Sequence, residues 1–226
     1  MNKKLLFVII LQLSSAVSEA QINAYAGYVY AKTDAALLNT IIDKYNIENT
    51  TLTQAMPHFV NLQGMELGLR YRFPNLSLEF GWSNKFSLVK DQTFINNKEV
   101  RNFLSYKNST FILGGELYYG WVGIGASFDF NRTVIKRGIG SATGDELMNE
   151  SNITNHYFIN IDFPINDAMS LSLRPFVQLP ISQLNFYEVA RSMNSGAIDA
   201  EAYKAKVINF GFKIILFNGT KDYSSN

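Results

Sequence analysis

Only two histidines occur in the 226-residue chain, His58 and His156, and they are the natural place to look for chemistry. A neutral imidazole beside a hydroxyl can act as a general base. Around His156 the chain reads ESNITNHYF, with Glu150 and Ser151 nearby but at no recognisable catalytic spacing. Both histidines are expected at the rim of the fold, as surface residues. A metal site built from two such distant histidines with Asp145, Glu146 and Glu150 is disfavoured, and a chain without cysteine has no thiolate site. The glycines of RGIGSATGDE do not lead from a strand into a helix and lack the lysine and hydroxyl of a phosphate loop, so an external loop is expected there. No catalytic, cofactor-binding or metal-binding residue is assigned.

A second group of reactive side chains is patterned differently. Glu66, Arg70, Arg72, Glu79, Glu116, Asp129, Asp162, Arg174 and Lys213 fall at alternate positions of segments whose other positions are apolar. Gly64, Gly68, Gly81, Gly114, Gly123, Gly125 and Gly211 share their face. Five acids and four bases can neutralise one another in a closed space. Glycine is a poor strand residue unless something crowds it, so this is the face of a narrow interior. Most lysines (Lys85, Lys90, Lys98, Lys136) are expected in loops.

The elements that position these residues are strands. Period-two alternation marks 22–31, 62–73, 76–86, 109–119, 122–134, 155–165, 169–180 and 207–217. Very short connections (PN, GW, NDA) alternate with long ones at 32–61, 87–108, 135–154 and 181–206. Across a two-residue Pro74-Asn75 turn, residue parity sets Arg70 opposite Glu79. In the next pair it sets Tyr118 against Gly123 and Glu116 against Gly125. Aromatic side chains gather at strand ends, with Phe73, Tyr119, Trp121 and Phe163 by the short turns and Trp82, Phe111, Phe130 and Tyr157 by the long loops, as in two membrane-interface girdles. The apolar face is therefore expected to touch lipid.

The first 20 residues read as a cleaved signal peptide, with Lys3 and Lys4, an apolar run from Leu5 to Leu13, and Ser18 and Ala20 before the cut. Without it, basic and acidic side chains balance at about 18 each, so no basic face invites nucleic acid. No later apolar run approaches a spanning helix. In one long loop, TDAALLNTIIDKYN places Leu38, Ile41, Ile42 and Tyr45 at helical spacing after a Thr33/Asp34 cap, and DAEAYKAK, 199–206, is a weaker helix candidate. The first would pack on the barrel mouth as a lid or dock a partner.

Over residues 21–217 the chain resembles the small eight-stranded outer-membrane β-barrels, the OmpA/OmpX-like group: an all-β, antiparallel, up-and-down transmembrane barrel followed by a polar tail, 218–226. The resemblance implies short turns in the periplasm, long loops outside a bacterial cell, contact with outer-membrane lipid and lipopolysaccharide, and insertion by the barrel-assembly machinery. That machinery reads an alternating final strand, here NFGFKIILF, with Phe210, Phe212, Ile214 and Leu216 on one face and Phe217 out of that register. No cofactor is implied. The function expected is a non-enzymatic scaffold whose loops bind an extracellular protein or glycan or support the envelope. Two rival readings are a lipid A-modifying enzyme, since some such barrels are, and a soluble periplasmic lipocalin-like barrel, whose cavity should be apolar and not charged.

Overall fold

The computed structural model describes residues 21–140, 144–166, 168–194, 196 and 199–219; the expected leader, 1–20, and tail residues 220–226 lie outside them. Eight antiparallel strands close into a barrel. They are β1 (Gln21–Asp34), β2 (Asn61–Phe73), β3 (Leu76–Lys90), β4 (Asn102–Tyr119), β5 (Val122–Ile139), β6 (Asp145–Asn166), β7 (Met169–Pro180) and β8 (Ile208–Asn218). Each pairs with its successor, and β8 closes on β1 from Tyr25↔Phe217 to Asp34↔Ile208.

The short turns fix the register as parity requires. Phe73 pairs with Leu76 and Tyr119 with Val122, with Asn75 at φ 63 and Gly120 at φ 56 taking the left-handed conformation that a tight reversal needs. Arg70 stands opposite Glu79, and Glu116 opposite Gly125. Met169 pairs with Asn166 across the third short connection, and a bulge follows it.

At the other end the strands run further than the alternation indicates. Most of 87–108 and 135–154 is strand, because β3 to β6 continue as tall hairpins. The outward row turns partly polar there, with Lys107 and Ser109, while the inward row mixes Asn108 and Thr110 with Leu104, Tyr106 and Ile135, so the apolar-out, polar-in alternation of the lower wall is lost.

Two helices fill the mouth. α1 (Ala36–Glu48) buries Leu38, Ile41, Ile42 and Tyr45, the four residues at helical spacing. Its N-cap is Ala35, not Thr33 or Asp34, which stay in β1. In the last long loop the helix is α2 (Tyr187–Met193), whose seven residues are too few to show a period. Residues 199–206 hold only a 3-10 turn, Glu201–Tyr203, and a two-residue strand, Lys204–Ala205, paired with Leu184–Asn185. A small sheet joins Leu52–Gln54, Gln92–Ile95 and Lys98–Val100 outside the barrel.

Candidate functional site

The inward row carries a cross-barrel charge network. Arg174 of β7 meets Glu79 of β3 in a bidentate pair, with Nη1 2.6 Å from Oε2 and Nη2 2.7 Å from Oε1. Its Nη2 also lies 3.9 Å from Glu116, and its Nε donates to Asn160 Oδ1 at 3.2 Å. Asn160 in turn donates to Glu116 (3.1 Å) and Asp162 (2.7 Å). Arg70 lies 3.6 Å from Asp162 and stacks its guanidinium on the Phe217 ring at 3.4 Å. The Arg70–Glu79 register is thus present, but each charge finds its partner across the lumen. Lys213 holds Glu66 at 2.7 Å. Arg72 sits over Tyr118, 5.7 Å from the ring centre. All nine charged residues of the sequence pattern are buried.

The glycines beside them make room for large partners. A Cβ on Gly123 would overlap the Glu116 carboxylate, one on Gly125 the Phe158 ring, and one on Gly68 or Gly81 the Tyr25 side chain. The lumen is packed large against small, as an eight-stranded barrel allows.

Three further residues join the network from positions where they were not expected. His156, 1% exposed, is no rim histidine: its Nδ1 lies 2.9 Å from Asp129 Oδ2, and its ring packs against Phe176 and Phe158. Asp129 also accepts from Ser127 (2.7 Å) and Gln178 (2.6 Å). Lys85 is no loop lysine; it is buried and donates to Gln178 Oε1 at 3.0 Å. Phe217 is the ring beneath Arg70. A signal for each was present, since His156 shares its parity with Asp162, Lys85 with Glu79, and Phe217 with Lys213.

Ser127, Asp129 and His156 form the nearest approach to a catalytic constellation. The carboxylate holds both other groups, the Nε2 atom of His156 is buried without a hydrogen-bond partner among the described residues, and the lid lies above it. Such a site offers a substrate no approach. The other histidine, His58, is exposed and pairs with Asp43 at 2.7 Å. No group of three metal-binding side chains occurs among the described residues.

The lid above the network is apolar inside and pinned by amides. Leu38, Ile41 and Ile42 of α1 share one buried cluster with Val189, Ala190 and Met193 of α2 and with Leu62, Leu104 and Ile135 of the wall. Asn39 and Asn46, two turns apart on α1, each make a reciprocal pair with a loop backbone: Asn39 with Phe59 (3.1 and 2.9 Å) and Asn46 with Met56 (2.9 and 2.9 Å). The Tyr45 hydroxyl donates to Asp91 Oδ2 at 2.7 Å, and Asp91 Oδ1 accepts the backbone N–H of Asn102 at 2.9 Å. Burial and that hydrogen bond push the Tyr45 phenol up to about 12. Arg137 spans the two helices, with its guanidinium 5.3 Å from the Tyr45 ring centre and a hydrogen bond to the carbonyl of Ser192.

The outward row is mostly apolar along the lower part of each strand, with Asn155 of β6 a polar exception. Phe73, Tyr119, Trp121 and Phe163 lie at the short-turn end. Trp82, Phe111 and Phe130 stand side by side across β3, β4 and β5 toward the long-loop end. Tyr157 stands on the outward row of β6, paired with Ala126 and Val177; because the strands are tilted, it lies nearly level with Trp82.

No family model and no curated protein matches the sequence. Solved structures with a similar fold include Neisserial surface protein A (TM-score 0.48, 10% identity, covering 89% of this chain and 99% of that one). Another is Ail, the attachment invasion locus protein of Yersinia pestis, in complex with the heparin analogue sucrose octasulfate (TM-score 0.37, 11% identity, 88% and 98%). A third is the translocator domain of the autotransporter NalP from Neisseria meningitidis (TM-score 0.31, 7% identity, 94% and 95%). At these identities the likeness is one of fold.

Proposed function

We propose that the chain is exported by a cleaved leader, residues 1–20, and works in a bacterial outer membrane as a sealed, non-enzymatic barrel that holds a rigid lid outside the cell. The observation that carries this is the inversion of polarity across one wall: buried ion pairs inside, exposed leucine, isoleucine and phenylalanine outside. A barrel in water buries apolar side chains and exposes polar ones, whereas hydrocarbon demands the reverse. The same inversion disfavours the lipocalin-like reading, whose lumen would be apolar. The burial of His156 disfavours the enzymatic one.

The surface presented outside consists of α1, the small external sheet and the 181–206 loop, and we assign binding of an extracellular protein or glycan to it. The barrel-assembly machinery would read β8, and outer-membrane lipid and lipopolysaccharide would cover the wall. Because the chain has no cysteine, single-cysteine labelling tests the topology cleanly. Gly196→Cys should react with a membrane-impermeant maleimide on intact cells and Pro74→Cys only after lysis. Recovery of the protein in the soluble periplasmic fraction overturns the reading.

A further inference from the structure

The outer wall of the β4–β5 hairpin departs from the rest of the lipid-facing surface in three respects. On its upper part, Lys107 pairs with Val134, which places it diagonally between Arg132 and Lys136 on the same face. Diagonal neighbours of this kind lie about 7–8 Å apart, and like charges so placed repel unless an anion joins them. None of the three makes an ion pair among the described residues. The acid beside them is Glu146, opposite Lys136 in β6; Asn149 donates to it at 2.8 Å and accepts from Arg132 Nε at 2.8 Å. Three cations thus face one carboxylate.

Below them, the cross-strand pair Gly115 and Ala126 leaves a groove between Leu113, Phe128, Leu117 and Ile124. Its two hollows, about 340 and 520 Å³, both border Gly115, Ala126 and Tyr157 and run on along the hairpin. The depths agree. Six residues separate Arg132 from Ala126, roughly 20 Å along a strand, and a strand tilt of about 40° reduces this to roughly 15 Å along the membrane normal. That is about half of a 30 Å hydrocarbon core, one leaflet.

Beside the groove, Asn155 stands on the outward row of β6 opposite Phe128. Its side chain has no hydrogen-bond partner among the described residues, and an amide facing hydrocarbon is costly unless it finds one. A carbonyl or hydroxyl near the head of an acyl chain would supply it.

We propose that this face holds one phosphate-bearing glycolipid of the outer leaflet, of the lipid A class. Its phosphate sits on Lys107, Arg132 and Lys136, an acyl chain lies in the Gly115–Ala126 groove, and a polar acyl substituent meets Asn155. The assignment deepens the membrane reading above and rests on the long-loop end lying outside the cell. Charge complementarity at headgroup height and apolar shape through a single leaflet favour a lipid over a protein occupant.

The test uses the full barrel purified in a neutral detergent, with bisphosphorylated lipid A as the probe and native mass spectrometry as the readout. One lipid per barrel is expected to survive detergent exchange. The Lys107→Gln/Arg132→Gln/Lys136→Gln variant should bind about 100-fold more weakly, from roughly fivefold per cation. Ala126→Phe, which fills the groove and leaves the charges, should weaken it severalfold. Both variants are first shown to be folded by their heat-modifiable mobility on gels. Equal retention by the parent and the triple variant, or a second copy of the chain found on this face in place of lipid, overturns the proposal. The Gly196→Cys labelling result reports separately whether the topology itself has failed.

Discussion

Midway along the lumen Arg174 lies bidentate on Glu79, with Glu116, Asn160, Asp162 and Arg70 linked behind it; at the mouth Leu38, Ile42 and Met193 pack against Leu104 and Ile135, and charge enters beside Tyr45, at Asp91 and Arg137. The two fillings exclude water by different means and fail in different ways. In the middle, every group depends on a partner from another strand, so loss of one strands a charge that the closed wall cannot hydrate. At the mouth, loss of one side chain leaves a hole that neighbours partly fill, and the helices can loosen without opening the ring of strands. The middle therefore belongs to the barrel's own cooperative unit and the mouth to a separable one.

The sharpest way to break this contrast is Arg174→Ala. It should destabilise the barrel by about 3–5 kcal/mol, read as the urea midpoint in lipid vesicles, because it leaves Glu79 buried and unpaired. The double variant Arg174→Leu/Glu79→Leu should recover most of that loss. A parent-like midpoint for Arg174→Ala would mean that water reaches these charges.

Next in size, Ile42→Ala should cost about 2–4 kcal/mol, confined to the lid. Hydrogen exchange should quicken across residues 36–48 while the urea midpoint of the strands stays in place. Loss of both together would make the mouth and the middle one unit.

Smaller again, Tyr45→Phe removes the hydroxyl on Asp91 and should loosen the lid by about 1 kcal/mol. The same bond sets a pH dependence. The Tyr45 phenol is raised from 10.0 to about 12, so its contribution is complete below pH 10 and fades as pH climbs through about 12, where a phenolate would face the Asp91 carboxylate. Lid protection factors, the exchange rates of unprotected amides over those observed at the same pH, should fall in the parent over that interval, and those of Tyr45→Phe should not.

The smallest expected signal is none. Neither the parent nor Ile42→Ala should show steady conductance in planar bilayers, since the charged middle closes the path below the lid. Channels that appear only in the lid variant would show that the mouth is the true seal.

What could be read before the fold was known follows the same division. Parity carries across a tight turn, so Arg70 opposite Glu79 and Glu116 opposite Gly125 were legible from local spacing. Which charge meets which was not: Glu79 and Arg174 are 95 residues apart, and their contact depends on how far the sheet shears before it closes. α1 was legible because four apolar residues repeat at helical spacing, whereas α2 is too short to repeat. The places of His156 and Lys85 were not legible because a polar residue stands beside each on the outward row, Asn155 and Asn84, and breaks the apolar alternation there.

Phe217 gives the seam between β1 and β8 a property that hydrogen bonds alone do not supply. Backbone pairing is nearly indifferent to a slip of one residue, but side-chain direction is not. Slipped by one, the last strand would turn Phe217 to the lipid and Lys213 with it, leaving Arg70 without its ring and Glu66 without its cation. A wrongly zipped barrel would thus carry two bare charges in its wall, whereas the correctly zipped one carries none at those positions. The closing strand acts as a built-in checksum, and misfolded closures should be selectively reopened during assembly.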